Sequence, residues 1–307
     1  MPRPVARRLT AALLVAGLAL AGCSSDDEPA ADRSTTTTTA PAADAERGLT
    51  AAQVAGSTDD DTMLQGLAIY QPYVEQQAGT VARDVARFTD AVRAGDVELA
   101  KELYPASRQA YLRIEPLVPL IAPGVARVVE AQPPAGLDEA EDPQITGWHQ
   151  LEWDLWVSED LSGAKATADQ LDEELAKLAD AAADFTVTPK AMVLGTAMLM
   201  DWAANDAASD AVAPYAVTHL WDLAARVDAA NAARQMFRDA VGNEDPEAAA
   251  AIDDRSQDAI DAIAPYRTAE GWTSYDDVTD AQRTDLATAF RAFADALATG
   301  ADALGFT

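Results

Sequence analysis

The sequence predicts an all-α protein, and three observations carry that prediction. Apolar residues recur at steps of three, four or seven along most of the chain beyond residue 62, the spacing that lines one face of a helix. No window combines period-two alternation with the β-branched enrichment of a half-buried strand. Start and stop signals, chiefly Asp, Thr and Pro before a periodic run and Gly or Pro after it, divide the chain into eight helical segments.

Val74, Val81, Val85, Phe88 and Val92 share one face of the first segment, which Gly95 ends. Asp96 caps the second, carried by Leu99, Leu103, Ile114 and Leu117, with bends expected at Pro105 and near Pro116. Asp142-Pro143 supplies a cap and first turn for a third segment, which holds the stretch GWHQLEWDLW, residues 147–156. Leu171, Leu175, Leu178, Ala182 and Phe185 mark a fourth, ending before Pro189. Further segments run roughly from Pro189 to Ala208, Tyr215 to Val241 and Pro246 to Ile263. The last, with Leu286, Phe290, Phe293 and Leu297, follows Thr279-Asp280. Eight helices exceed one four-helix bundle and suit two packed side by side, residues 62–188 and 189–307, with the Pro-bearing FTVTPK at 185–190 as their seam. A single larger bundle is the competing arrangement.

The N-terminus reads differently. Arg3, Arg7 and Arg8 form a basic start, and the apolar run behind them is too short to span a bilayer comfortably. Residues 1–22 are therefore expected to be an export signal, and Leu20-Ala21-Gly22-Cys23 resembles a bacterial lipobox with Cys23 as the lipidated residue. Cys23 is the only cysteine in the sequence, so an internal disulfide is impossible. Residues 23–61, rich in Asp, Ala, Pro and Thr, read as a flexible tether holding the helices outside the cytoplasm.

Charge narrows the partners. With 22 Lys+Arg against 51 Asp+Glu the formal charge is -29, and loss of Arg3, Arg7 and Arg8 with the signal moves it to -32. Such a surface repels phosphate backbones, which excludes nucleic acid, and favours cations at any cleft it lines.

The chemistry concentrates on the two histidines of the chain. His149 and Glu152 stand three residues apart, so on a helix their side chains leave one face and can reach one metal ion. Ile145, Trp148, Leu151, Leu155 and Trp156 surround the pair with apolar bulk, and a buried carboxylate needs a cation, a donor or a proton. His219 and Asp222 in THLWD repeat the spacing. Glu115 in YLRIEPLVP and Asp201 in MLMDWAA are further acids in apolar settings, each open to an ordinary pairing with a base. Catalysis has less support: there is no His-Glu-x-x-His run, no Gly-x-Ser-x-Gly elbow and no Gly-rich phosphate loop.

YVEQQAGTVARDVARFTDAVRAGDVELAKELYPASRQAYLRIEPLVP, then TGWHQLEWDLW, LWDLAARVDAANAA and GWTSYDDVTDAQRTDLATAFRAFADALA, resemble the imelysin-like family, in particular its iron-uptake lipoproteins of EfeO and EfeM type. The resemblance covers residues 70–300. It implies two helical bundles and a Gly-x-His-x-x-Glu signature, here Gly147, His149 and Glu152, with Glu115 as another characteristic acid. It further implies a non-enzymatic protein that captures iron outside the membrane and passes it to a permease, alongside a haem-containing peroxidase. The family's earlier grouping with metallopeptidases supplies the alternative. Where relatives read Tyr-Ser-His-Thr-Asp-Leu-Trp-Asp, this chain places Val217 at the histidine and His219 at the first aspartate. The expected metal ligands are thus His149, Glu152, Glu115, Asp222 and His219. Carboxylates with imidazole suit ferric (Fe3+) or ferrous (Fe2+) iron and would also accept copper or zinc in vitro.

Overall fold

The computed structural model describes residues 46–134, 141–209 and 215–306, and there helix follows helix with little between. In chain order these are α1 (Ala51–Val54), α2 (Asp61–Ala94), α3 (Val97–Leu112), α4 (Val118–Ile121), α5 (Val125–Val129), α6 (Gly147–Trp153), α7 (Lys165–Ala182), α8 (Pro189–Ala207), α9 (His219–Glu244), α10 (Pro246–Ile263) and α11 (Asp280–Ala303). Side-chain oxygens of Asp60, Asp96, Thr188, Asp245 and Thr279 accept backbone N–H groups at the starts of α2, α3, α8, α10 and α11. Each cap satisfies a donor that the first helical turn cannot. Gly95, at φ 71°, ends α2 as its sequence position predicts.

The apolar stripes then decide the packing. α2 buries Val74, Val81, Val85, Phe88 and Val92 against α3 and α7, while α8 and α9 pack with α10 and α11. α9 also lies against α2 and α3, so the two groups share one core, and the described residues form a single compact unit. At the α2–α9 crossing Gly66 backs onto the main chain of Met236, where a Cβ would fall inside the carbonyl. Among the described residues no helix is long and apolar enough to cross a membrane.

Several boundaries differ from the sequence reading, each for a local reason. α6 begins at Gly147 rather than at Asp142-Pro143. The Asp142 carboxylate instead accepts the Gln144 N–H at 2.9 Å and turns the chain, leaving Gln144 at φ 49°. α9 begins at His219 rather than Tyr215 because Val217 sits at φ 49°, which a helix cannot include. The second segment stops at Leu112; a 3₁₀ turn over Glu115–Leu117 and the short α4 and α5 follow. A two-stranded antiparallel ribbon, Arg267–Thr268 with Gly271–Trp272, is too short to show a period-two pattern. Residues 46–54, read in the sequence as tether, lie on the helices: Leu49 is buried and its N–H donates to the Pro116 carbonyl, and Thr188 donates to the Val54 carbonyl. The export signal over 1–22 and Cys23 lie outside the described residues.

Candidate metal centre

The signature helix α6 is placed by its first residue. Gly147 adopts φ 73°, and a Cβ there would overlap the carbonyl oxygens of Val128 and Val129. Only glycine permits this approach. The N-terminus of α6 is thereby seated on the end of α5, and Glu130, next after α5, comes beside His149. Immediately beyond α6 the chain widens into a π-helical turn over Asp154–Ser158, a form often found beside functional residues.

His149 is 1% exposed and has a carboxylate at each ring nitrogen. Its Nδ1 lies 3.0 Å from Glu152 Oε2, and its Nε2 lies 3.5 Å from Glu130 Oε2, with the Gln132 amide 3.1 Å from the same nitrogen. Burial pushes the imidazole down, but its bonds to Glu130 and Glu152 outweigh burial and raise the pKa to about 9. Glu152, fully buried, receives backbone N–H groups from Tyr215 at 3.1 Å and Ala216 at 2.8 Å on its other oxygen. The segment before α9 therefore closes over the signature helix.

Arg108 joins the remaining acids. It is 1% exposed, its Nε and one terminal nitrogen each lie 3.2 Å from Asp222 Oδ2, and its terminal nitrogens lie 3.3 and 3.4 Å from the two Glu130 oxygens. Burial drives Glu130 up, yet Arg108 and His149 bring it down to about 2. Asp222 goes the other way, to about 6, because burial exceeds what Arg108 and Arg226 return. Asp222 Oδ1 and the hydroxyls of Tyr104 and Tyr111 are buried and have no hydrogen-bond partner among the described residues. A buried oxygen left so is costly unless something else supplies a partner.

Of the residues expected from sequence, His149 and Glu152 meet, and Asp222 joins them through Arg108 and Glu130. Glu115 does not contact this cluster. It pairs with Arg226 at 2.8 Å and Arg47 at 3.7 Å, and Asp206 shares both arginines. His219 stacks face to face on Tyr275, ring centroids 4.3 Å apart and 8° from parallel. Asp201 pairs with Arg291 near the surface. Among the described residues no three His, Cys, Asp or Glu side chains form a ready-made coordination sphere.

Glu130 and Arg108 were missing from the sequence reading. Arg108 could have been found: it lies four residues after Tyr104 and three before Tyr111, on the apolar stripe of α3, where an arginine needs buried acids. Glu130 had only a weak signal, an acid closing the short apolar run VARVV before Ala-Gln-Pro-Pro.

Comparison with known proteins agrees with the resemblance drawn from the sequence. Residues 66–302 match the family described as Imelysin, peptidase M75. The iron uptake system component EfeO of Escherichia coli O157:H7 is 32% identical over 247 residues, covering 80% of this chain and 66% of that protein. The EfeO of Yersinia pestis is 33% identical over 240 residues, covering 78% of this chain and 64% of that protein. The chain thus spans just under two thirds of the length of these relatives. With the family match running from α2 through α11 and the Gly147, His149 and Glu152 signature seated in the buried cluster, the chain belongs to the imelysin family.

Proposed function

We propose that the protein is an extracytoplasmic iron-binding component of an iron uptake system, and that iron is its cargo. The observation that carries this is the buried His149, with Glu152 at one ring nitrogen and Glu130 at the other. Imidazole Nε2 with the Glu130 carboxylate beside it, Glu152 holding the opposite ring nitrogen, and Asp222 Oδ1 in need of a partner nearby offer nitrogen and hard oxygen donors suited to ferric or ferrous iron. Glu115 and His219 are engaged elsewhere and are not needed for it. The EfeO relatives, named as iron uptake components, support the choice of cargo.

Capture would be followed by delivery to a membrane iron permease, with a haem-containing peroxidase as a second partner and Cys23 as the lipid anchor. Burial supports a carrier over a metallopeptidase: Glu152 and His149 are 0% and 1% exposed, as suits a site that encloses an ion rather than one laid open to a peptide chain. The test is iron binding by metal-stripped protein. About one equivalent is expected, lost in the double variant H149A/E152A. Undiminished binding in that variant rejects the assigned donors, and chelator-sensitive cleavage of a peptide would restore the enzyme reading.

A further inference from the structure

Arg108 has no part in the donor set, yet it occupies the centre of it. Its guanidinium spans Asp222 Oδ2 at 3.2 Å and both Glu130 oxygens at 3.3 and 3.4 Å. It is 1% exposed and lies over the Trp148 ring at 5.3 Å and near the Tyr104 ring at 5.8 Å, so it is held in the interior among these rings and acids. We propose that Arg108 is a built-in counter-cation that holds the charge of the metal-free cluster and sets how readily the cluster lets a metal ion go. This rests on the iron-binding reading above.

The charges make the case. Without a cation, the buried Glu152 and Asp222 and the part-buried Glu130 would be three acids gathered near a single histidine, an arrangement whose desolvation and mutual repulsion would be costly. Arg108 neutralises two of them at once. Its fork holds only one oxygen of Asp222, leaving Oδ1 without a donor among the described residues, so this acid has a free oxygen for an incoming ion. A metal ion entering between His149 and these acids then meets a buried positive charge a few ångströms away, held in place by Asp222 and Glu130. Repulsion at that distance in a low-dielectric interior is large. The consequence is an affinity held below what the donors alone would give, which suits a protein that must surrender its cargo. If Arg108 instead only orients Asp222 and Glu130, its removal would misplace donors and weaken binding. The two roles predict opposite signs.

The experiment measures ferrous iron, added anaerobically without other ligands, binding to wild type, R108Q and R108K, together with the rate of iron loss to excess chelator. R108Q is expected to bind at least roughly tenfold more tightly and to release iron correspondingly more slowly, while R108K, which keeps the charge but not the fork, gives no such gain. R108Q leaves buried acids unpaired, so its metal-free form should melt below wild type. Its iron-induced rise in melting temperature should nevertheless exceed that of wild type. Equal or weaker binding by R108Q overturns the proposal, as does a gain in R108K that matches R108Q. Should R108Q not fold, a loss of affinity in R108K would by itself point to orientation and overturn the proposal. Absence of iron binding in wild type would instead defeat the iron-binding reading, a result distinguishable from all of these.

Discussion

At Gly147 a left-handed backbone angle and contact with two carbonyl oxygens coincide, so this one position fixes how α6 meets α5. G147A is expected to cost about 2–4 kcal/mol, from the strained φ and the displaced carbonyls. Denaturant unfolding checks this, and an unchanged midpoint would contradict the geometry. His149 carries the pH dependence. Its folded pKa of about 9 exceeds the ordinary 6.5, so the metal-free fold gains stability from the charged ring below pH 6.5 and loses that gain as pH rises through 9. Histidine ring resonances in metal-free protein should therefore show one midpoint near 9, and a midpoint at or below 6.5 would sink the assignment. Because a metal must displace this proton, iron binding near neutral pH should release it and affinity should rise with pH, which calorimetry in buffers of different ionisation enthalpy can read.

Between residue and molecule, the elements to watch are the short ones. α5 has five residues and cannot be stable alone, so its position depends on its ends. Glu46 accepts N–H groups from Gly124 and Ala126 at 2.9 Å at the start, and Glu130 follows the end. The stretch 46–54 thus reaches the His149 cluster through one short helix. E46A is expected to cost about 1 kcal/mol of stability and to weaken iron binding several-fold, because the Glu130 carboxylate loses its fixed place. Unfolding and binding measured on the same variant check both; a stability loss with unaltered affinity would show that Glu130 is held by Arg108 and His149 alone. Val217, a strained valine at φ 49°, likewise lies in the 215–218 turn, whose Tyr215 and Ala216 N–H groups cover Glu152.

For the whole molecule, the decisive property is charge of one sign. A formal -29 draws cations from all sides, so the association rate of iron should fall as salt rises from about 10 to 150 mM, where the screening length shrinks from about 30 to 8 Å. Stopped-flow measurement at several ionic strengths checks this, and a salt-independent rate would mean the surface has no steering role. The sequence by itself determined the helical class, the starts of α3, α8, α10 and α11, and the pairing of His149 with Glu152. These depend on spacing along one element, and periodicity records that directly. It misplaced the starts of α6 and α9, because Asp142 and Val217 act through turn geometry that no apolar pattern encodes. Only the tertiary structure decided which acids meet. It brought Glu130 and Arg108 to His149 and drew Glu115 away to Arg226, 111 residues distant in the chain. The reason is physical: a buried charge goes to whichever opposite charge packing delivers, and that is settled by how helices cross rather than by what lies beside the residue in sequence.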